Sequence, residues 1–284
     1  MNTPDPSKLI AFQGAPGAYS DLAARHAFPE METLPCTQFE DAFAAVREGR
    51  AALGMIPIEN SVAGRVADIH HLMPDSGLFI IGEHFEPVHH HLLSIPGATL
   101  DSIKTVRSHV HALGQTRKFQ RDHKLTPVVA VDTAGAAAEL ATHPDPTVAA
   151  IASELAGKIY GLVSLARNIE DAAHNTTRFM VMSREPKRAP RGQPTVTTFV
   201  FNVRNVPAAL YKALGGFATN AINMTKLESY MVEGNFTATQ FYADVEAHPD
   251  DRPLQLALEE LEFFSTEVKI LGVYPAAPER AAKC

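Results

Sequence analysis

One short stretch of the sequence, residues 175–179, brings together groups that could assist the loss of an oxygen substituent. It reads Asn-Thr-Thr-Arg-Phe and lies directly before the apolar residues 180–182. A threonine hydroxyl can donate a hydrogen bond to a departing oxygen, while the guanidinium of Arg178 can hold a carboxylate. The same residues also suit an ordinary turn, in which threonine caps the chain and arginine is solvated. The pattern alone leaves both interpretations open.

Three further polar motifs precede this stretch. They are Gly14–Ser20 (GAPGAYS), Ile56–Gly64 (IPIENSVAG) and Ser108–Leu113 (SHVHAL). The polar part of the second motif, residues 59–61, follows a predicted buried strand at residues 51–58. Because ligands of open α/β sheets bind outside the carboxyl ends of strands, these residues lie where a site is expected. Asn60 or Ser61 also suits the N-cap of the next helix, and both roles can hold at once.

The elements that must position these motifs alternate between strand and helix from residue 9 to residue 160. This alternation predicts an α/β protein with mostly parallel sheets. We interpret it as two lobes, with residues of about 86–165 forming a second lobe inserted into the first. The site is expected in the cleft between the lobes, with the two crossovers as hinges. The glycine turn at residues 14–17 exposes backbone N–H groups that suit an anion, although a plain tight turn explains it equally.

The composition changes at residues 183–194, which contain three prolines and four basic residues and therefore predict a linker. A strand at residues 195–203 and a helix at residues 207–219 follow. Two strands, at residues 222–231 and 236–246, form a predicted hairpin through Glu233–Asn235. A helix at residues 254–264 and a strand at residues 268–274 complete the order βαββαβ, which is ferredoxin-like.

Taken in order, the four polar motifs closely resemble those of prephenate dehydratase, which removes carbon dioxide and water from prephenate to give phenylpyruvate. The resemblance covers roughly the first two-thirds of the chain, and the remainder resembles the ACT regulatory domain. It implies a two-lobed α/β catalytic domain, periplasmic-binding-protein-like, at residues 1–185. A linker at residues 186–194 and an α+β ferredoxin-like ACT domain at residues 195–284 would follow.

The resemblance also makes Thr177 the central catalytic residue. A threonine is too weak an acid to give up its proton cheaply, so we expect its hydroxyl to orient and hydrogen-bond the departing group. Glu59 is either the acid, its pKa raised by burial beside an anionic substrate, or a carboxylate that holds Arg178 or backbone N–H groups. Arg178 either binds the pyruvyl carboxylate or braces the cleft, and Phe179 also suits the core. The expected catalytic residues are Thr177, Glu59, Asn60, Ser108 and Gln115; the expected substrate-binding residues are Ser61, Gly64, His109, Asn175, Thr176, Arg178 and Phe179.

One of these motifs departs from the family pattern, because Val110 and His111 replace Pro and Gln in the family's Ser-His-Pro-Gln-Ala-Leu. Gln115 falls within a predicted helix at residues 112–123.

In the family, the ACT domain binds phenylalanine at a subunit interface. The resemblance therefore implies phenylalanine as an effector and a homodimer or dimer of dimers formed through this domain. Ala208 replaces the glycine of one effector motif, and Tyr230 and Met231 replace Arg and Pro in the other. A ferredoxin-like module used only for dimerisation is the alternative. The expected effector-binding residues are Asn205, Pro207, Ala208, Ala209, Leu210, Glu228 and Ser229.

Composition argues against several other classes of protein. The net charge of -7, without a basic block, argues against a nucleic-acid partner, and no apolar run predicts a membrane span. Residues 1–7 lack the pattern of a signal peptide, and Cys36 and Cys284 make no disulfide framework, so we expect a cytoplasmic protein. The histidines at 89–91 point to alternate faces of a strand and are expected to be solvated or packed rather than metal-bound.

The reaction implied by the resemblance needs no metal or organic cofactor, because aromatisation of the ring drives it. Two other functions fit the same residues. Arogenate dehydratase performs the same chemistry on the amino-acid form of the substrate, and one group facing the ammonium would distinguish it. A non-catalytic two-lobed ligand-binding sensor is the alternative from another class, against which Thr177 with Asn60, Ser108 and Gln115 argues.

Overall fold

The computed structural model describes residues 5–204, 206–231 and 238–281, without the side chains of residues 67, 68, 238 and 239. Its contacts divide the chain into two compact units. The first comprises Met1–Ile69 and His84–Phe179, and the second comprises His70–Glu83 and Met180–Cys284. Each unit is therefore built from two separate segments of the chain.

The chain up to residue 183 forms eleven of the strands and seven of the helices that the structure describes. They are β1 (Leu9–Gln13), α1 (Tyr19–Ala27), β2 (Glu32–Cys36), α2 (Phe39–Arg47), β3 (Leu53–Asn60), β4 (Gly64–Arg65), α3 (Ala67–Leu72), β5 (Phe79–Pro87), β6 (His91–Ser94), β7 (Thr105–Ser108), α4 (Val110–Gly114), α5 (Arg117–Asp122), β8 (Thr126–Val129), α6 (Thr133–Thr142), β9 (Val148–Ala152), α7 (Glu154–Tyr160), β10 (Val163–Ala166) and β11 (Thr176–Ser183). Short 3₁₀ turns occur at Pro6–Lys8 and Leu100–Ser102. The chain passes from one unit to the other within α3, β5 and β11.

The first lobe is built on the parallel strands β2, β1 and β3, with β11 beside β3. The first four residues of β1 are all buried, because helices cover both faces of a parallel sheet and the strand needs no polar side. This strand and β3 confirm the strands predicted at residues 9–12 and 51–58. The order of the sheet brings the carboxyl end of β3, at Asn60, next to the start of β11, at Thr176.

The second lobe is a five-stranded sheet in the order β10–β6–β9–β7–β8. Strands β7, β8 and β9 are parallel, whereas β6 and β10 run antiparallel to their neighbours. A core of small and branched residues, including Val106, Ala149 and Ile151, packs within this lobe. The predicted α/β architecture of two lobes is confirmed, and the strands of the second sheet, β6–β10, lie in sequence between β5 and β11 of the first.

The two lobes of the first unit meet at the glycine turn that precedes α1. A Cβ atom built on Gly17 would lie only 2.6 Å from Cα of Ala156 in α7, so this position requires glycine. The Ser153 hydroxyl donates to the Gly17 carbonyl at 2.6 Å, and the Tyr160 hydroxyl donates to the Pro16 carbonyl at 2.9 Å. The turn therefore has a packing role that its sequence did not indicate.

The helix predicted at residues 112–123 is instead two short helices, α4 and α5. The break falls at Gln115 and Thr116, and Gln115 is the C-cap of α4. Thr116 is fully buried, and its hydroxyl donates to the Ala112 carbonyl at 2.8 Å. Hydroxyl bonding to a carbonyl four residues back disfavours a continuous helix.

The second unit contains β12 (Thr195–Val203), α8 (Ala209–Thr219), β13 (Met224–Met231), β14 (Ala238–Val245), α9 (Arg252–Phe264), β15 (Ser265–Pro275) and α10 (Pro278–Ala281). Strands β13, β14, β12 and β15 are adjacent in that order, and all three pairings are antiparallel. This order confirms the predicted ferredoxin-like βαββαβ arrangement. The predicted turn at Glu233–Asn235 lies outside the described residues.

Residues 70–83 also belong to the second unit, although about a hundred residues separate them from its other segment, which begins at Met180. Arg280 of α10 forms a bidentate ion pair with the fully buried carboxylate of Glu83, at 2.6 and 2.9 Å. Gly272 of β15 pairs with Ile80 of β5, so closely that a Cβ on Gly272 would lie 2.3 Å from the Ile80 carbonyl oxygen. The ferredoxin-like segment is therefore packed against residues that the sequence places in the catalytic part of the chain.

Candidate active site

A cavity of about 550 Å³ lies between the two lobes of the first unit. Its walls come from the glycine turn and α1, from the β3–β4 turn, from the crossover at His90, from α4 and from the start of α6. Thr177 of β11 completes the wall. The polar and charged side chains that line it are Gln13, Tyr19, Ser20, Asn60, Arg65, His90, His109, His111, Gln115, Asp132, Thr133 and Thr177.

Asn60 is fixed in orientation by the backbone of the β3–β4 turn. The backbone N–H groups of Val62 and Ala63 donate to its Oδ1 at 2.9 and 2.8 Å. Since a backbone N–H can only donate, this atom must be the oxygen of the amide. Nδ2 then faces the other way and donates to Asn175 Oδ1 at 2.8 Å and to Thr177 Oγ1 at 3.0 Å.

The orientation of Asn60 determines that of the next two amides. Because Asn175 accepts through its oxygen, its Nδ2 faces Gln115 and donates to Gln115 Oε1 at 2.9 Å. Gln115 Nε2 in turn donates to Asn60 Oδ1 at 3.3 Å. The three amides form a closed, directional network, and Asn175 is almost completely buried within it.

This network determines what the Thr177 hydroxyl can do. Its oxygen accepts the N–H of Asn60, so its single proton must point away from Asn60. Thr177 lines the cavity, and the proton is therefore available to an oxygen atom bound there. The expected role of Thr177, Asn60 and Gln115 thus has a geometric basis.

Glu59 and Arg178 form an ion pair with each other behind this wall. Arg178 Nη1 donates to Glu59 Oε1 at 2.9 Å, and the arginine side chain is only 4% exposed. The guanidinium also lies 5.9 Å from the centre of the Phe85 ring. Neither Glu59 nor Arg178 lines the cavity. Of the two expectations for each, the structure agrees with Glu59 as the holder of Arg178 and Arg178 as a brace.

Several other expected site residues are not brought to the cavity wall. Ser108 is fully buried, and its hydroxyl donates to the Ile151 carbonyl at 2.5 Å. The Ser61 hydroxyl donates to the His174 carbonyl and accepts the Thr176 backbone N–H, which ties the β3–β4 turn to the start of β11. Phe179 is a core residue, exposed by 1%. In this geometry the groups of these three residues contact the protein itself, so their expected roles remain predictions without a cavity contact.

Gly64 and His109, by contrast, line the cavity as expected. Gly64 has a φ of +85°, a backbone conformation that L side chains rarely adopt, and ends the β3–β4 turn. Burial and the neighbouring His111 lower the pKa of His109.

His90 and Tyr19 are site residues that the sequence analysis did not select, although Tyr19 lies within the motif at residues 14–20. His90 Nε2 lies 2.8 Å from Gln115 Oε1, and the Tyr19 hydroxyl lies 2.8 Å from His90 Nδ1. Burial lowers the pKa of His90 and raises that of Tyr19 well above its usual value. The only signal in the sequence was the run of histidines at 89–91, in which nothing distinguished the middle one.

The glycine turn contributes to the wall, but several of its backbone N–H groups are used by the protein. Gly14 donates to the Cys36 carbonyl, Gly17 to the buried carboxylate of Asp21, and Ala18 to the Ala15 carbonyl. The anion site considered at this turn is therefore not supported.

Arg65 is the only lysine or arginine among the described residues that line the cavity, and Asp132 is the only acidic one. Asp132 also caps α6, with its Oδ1 accepting the Gly135 N–H at 2.5 Å.

The run of histidines is divided among different partners. His89 pairs with Glu170 at 2.9 Å, His90 bonds Gln115, and His91 is buried in β6. Within residues 5–204, 206–231 and 238–281, no three His, Cys, Asp or Glu side chains are grouped so that they could hold a metal ion.

The expected effector residues lie in the second unit, apart from Asn205, which is outside the described residues. The helix starts at Ala209 rather than at Pro207, because Ala208 adopts a left-handed conformation with φ of +63°. Pro207 and Ala208 are exposed, Ala209 is buried and Leu210 is half-buried. Lys226 Nζ lies 3.4 Å from the Glu228 carboxylate, and Ser229 is exposed.

Two α/β lobes around a polar cavity define a ligand-binding cleft of the periplasmic-binding-protein type, here with an oriented hydroxyl. A family model described as prephenate dehydratase matches residues 10–187. The chain belongs to the prephenate dehydratase family, whose members are carbon–oxygen lyases. A bifunctional N-acyl-homoserine lactone acylase/prephenate dehydratase of Komagataeibacter europaeus is 55% identical over 96% of this chain and 98% of its own length. Arogenate dehydratase/prephenate dehydratase 1 of Arabidopsis thaliana is 41% identical over 95% of this chain and 73% of its own.

Solved structures agree with this fold. Prephenate dehydratase of Arthrobacter aurescens, solved in complex with L-Phe, matches with a TM-score of 0.86 and 31% identity, covering 95% of this chain and 90% of its own. The prephenate dehydratase of Staphylococcus aureus shares the fold, with a TM-score of 0.76 at 24% identity over 94% and 99% of the two chains.

Of the helices that the structure describes, none has the length and apolar character needed to cross a bilayer.

Proposed function

We propose that this protein catalyses the decarboxylating dehydration of prephenate to phenylpyruvate. The observation that carries the proposal is the hydrogen bond from Asn60 to the Thr177 oxygen. This bond leaves the Thr177 proton free to be donated to an oxygen atom bound in the cavity. Membership in the prephenate dehydratase family supports the same reaction. Membership in a family of lyases also favours catalysis over the alternative of a sensor that only binds.

The reaction breaks two bonds of the substrate and forms an aromatic ring. The ring carboxylate leaves as carbon dioxide, and the electron pair of its C–C bond enters the ring. The ring hydroxyl leaves with one proton as water, and the pyruvyl arm is unchanged. A hydrogen bond from Thr177 to the departing hydroxyl strengthens as negative charge develops on that oxygen, so it stabilises the transition state more than the substrate.

Binding of the dianionic substrate needs a positive group in the cavity. Arg65 lines the cavity and Arg178 does not, so we assign the anchoring of a substrate carboxylate to Arg65. Neutral donors near Thr177 suit the carboxylate that must depart, because a cation bound to it would stabilise its charge and oppose decarboxylation. Gln115 is a donor of this kind, because its Nε2 gives only one of its two N–H groups to Asn60.

The proposal is tested by measuring phenylpyruvate formation from prephenate. We expect the wild-type protein to be active and Thr177→Ala to lower kcat by roughly 10²–10³-fold with KM nearly unchanged, since one donor to a developing oxyanion has this effect. Thr177→Ser should keep more activity because it keeps the hydroxyl. A kcat near that of wild type in Thr177→Ala would remove Thr177 from the mechanism.

Dehydration of arogenate is the second candidate reaction. Arogenate carries an ammonium group where prephenate carries a ketone, and Asp132 is the acidic side chain available to it in the described wall. Its carboxylate already accepts an N–H of α6, which reduces its attraction for a further cation. We therefore expect a higher kcat/KM for prephenate. If Asp132 binds the ammonium, Asp132→Asn will lower kcat/KM for arogenate and leave that for prephenate unchanged.

The name of the Komagataeibacter relative also includes an acylase. Hydrolysis of an amide by a serine or threonine requires a hydroxyl that is hydrogen-bonded to a base. In the described wall of the cavity, Tyr19 is the hydroxyl that contacts a histidine, and no serine or threonine hydroxyl does so. The geometry therefore supports the lyase reaction rather than a serine- or threonine-dependent hydrolysis.

We also propose that the segment from residue 195 is an ACT domain that binds phenylalanine near Pro207–Leu210 and near Glu228 and Ser229, and that phenylalanine inhibits the enzyme. The ferredoxin-like order of β12–β15 supports this proposal, as does the L-Phe complex of the Arthrobacter prephenate dehydratase. Assembly into a dimer or a dimer of dimers through this domain belongs to the same proposal. Sedimentation with and without phenylalanine would measure the assembly.

A further inference from the structure

His90 lines the cavity and connects the network of amides to Tyr19 through its two ring nitrogens. It lies in the crossover between β5 and β6, and it is only 1% exposed. Its Nε2 is 2.8 Å from Gln115 Oε1, and its Nδ1 is 2.8 Å from the Tyr19 hydroxyl. The Tyr19 hydroxyl also lies 2.7 Å from the His89 carbonyl oxygen, so its single proton is shared between that oxygen and the Nδ1 lone pair of the neutral His90 ring.

The orientation of the Asn60 amide, passed from one amide to the next, determines which nitrogen of the His90 ring carries the proton. The N–H groups of Val62 and Ala63 identify the oxygen of Asn60, and each following amide is then oriented by its neighbour. Gln115 consequently presents its oxygen to His90. An oxygen requires a donor, so His90 must carry its proton on Nε2.

Given the groups that face the imidazole, Nε2 carries a proton and donates it to Gln115 whether the ring is neutral or charged. Tyr19 of α1 faces Nδ1, the Glu170 carboxylate accepts the backbone N–H of His90 at 2.9 Å, and the His89 ring bonds that same carboxylate. Burial lowers the pKa of His90, so the neutral ring predominates near pH 7. Protonation would add an N–H only at Nδ1, and the donor towards Gln115 would be unchanged.

We propose that His90 is a positioning residue for the reaction: its Nε2–H holds Gln115 with the NH₂ group, rather than the carbonyl, turned towards Asn60 and the cavity. The inference rests on the proposed function, because it assigns Gln115 as a donor to a substrate oxygen. A flipped Gln115 would set its NH₂ against that of Asn175 and its oxygen against that of Asn60. The His90 proton adds a second donor that opposes this flip and keeps water from the Gln115 oxygen.

The test compares variants that keep or remove this donor. His90→Leu should lower kcat by roughly 10- to 100-fold with little change in KM, as expected when a reacting donor is misplaced. His90→Gln can place an amide N–H near the position of Nε2 and should recover much of the loss. His143→Gln replaces an exposed histidine that does not line the cavity and serves as the matched control, with unchanged kcat.

A double-variant cycle shows whether His90 acts through Gln115. In a Gln115→Ala background, His90→Leu should lower kcat by less than about twofold further, because residues that act as a unit are not additive. An undiminished loss in that background would overturn the proposal. The pH profile of kcat should keep its shape in His90→Leu. Disappearance of a limb of the profile would instead make His90 a proton donor to the substrate.

A spectroscopic measurement separates this inference from the proposed function. The ¹⁵N and ¹H correlations of the His90 ring at pH 7 should show a neutral imidazole protonated on Nε2. A neutral ring protonated on Nδ1 would overturn the inference even in an active enzyme, because Nε2 would then have no proton to donate to Gln115. If the wild-type protein forms no phenylpyruvate, the proposed function fails, while the tautomer still reports whether His90 is a donor to Gln115.

Discussion

A threonine hydroxyl has one proton, and the direction of that proton decides whether the residue can assist a departing oxygen. In this protein the backbone N–H groups of Val62 and Ala63 orient the amide of Asn60. The N–H that Asn60 donates to Thr177 then directs the Thr177 proton away from Asn60. Glu59 and Arg178, which carry the more conspicuous charges in the motifs, pair with each other instead. At the scale of residues, neutral amides orient the Thr177 hydroxyl, and the two charged side chains contact each other instead.

A prediction at this scale concerns Arg65. Arg65→Gln should raise KM for prephenate about tenfold or more, because a charge-assisted hydrogen bond contributes about 1.5 kcal/mol or more, and kcat should change little. Arg65→Lys should have a smaller effect. Arg50→Gln, which alters an exposed arginine paired with Glu48 outside the cavity, is the control. Equal KM values for Arg65→Gln and Arg50→Gln would show that the substrate carboxylate is bound elsewhere.

At the scale of elements, the start of α8 contains a local strain. Ala208 has φ of +63°, where a Cβ atom comes too close to the following carbonyl oxygen, and the family motif has glycine at this place. The helix consequently begins at Ala209 and not at the predicted Pro207.

Replacement of this residue should relieve the strain. Ala208→Gly should stabilise the protein by about 1 kcal/mol and raise Tm by about 2–4 °C in a thermal melt. Ala218→Gly, at an exposed position within the same helix, should lower Tm because glycine disfavours helical structure. A decrease in Tm for both variants would contradict the strain assigned to Ala208.

At the scale of the whole molecule, a truncation at Thr195 is a poor test of regulation. It would leave the fully buried Glu83 without Arg280, and Ile80 without the neighbouring β15, within the second unit. A buried carboxylate that loses its partner destabilises a protein by several kcal/mol, about 3–5 in measured cases. Loss of activity after truncation would therefore reflect unfolding.

Regulation is better tested in the full chain. Phenylalanine should inhibit the wild-type enzyme, and a coupling of about 1–3 kcal/mol would change the apparent affinity for substrate several-fold to a hundredfold. Glu228→Gln and Ser229→Ala should weaken the inhibition without changing kcat, whereas Glu262→Gln, at an exposed position of α9, should not. Inhibition that is equally strong in all of these variants and competitive with prephenate would place phenylalanine in the cavity.

Most of the strands and helices, and their order, could be predicted from the sequence, although the helix predicted at residues 112–123 proved to be two. Alternating strands and helices indicated two α/β lobes, and a change of pattern after residue 194 indicated the ferredoxin-like segment, because burial of one face imposes a period that is visible along the chain. The motifs around Asn60 and Thr177 were also visible, since chemistry restricts which residue types can occupy a site.

Only the tertiary structure decided which of these side chains meet. Ser108 and Glu59 have suitable chemistry, but their groups are taken by the Ile151 carbonyl and by Arg178. His90 carried no motif, and the motif that contains Tyr19 did not single it out, yet both residues extend the amide network because α1 and the β5–β6 crossover adjoin in space. Hydrogen bonds depend on distance and direction between residues far apart in the chain, and local patterns of polarity contain neither.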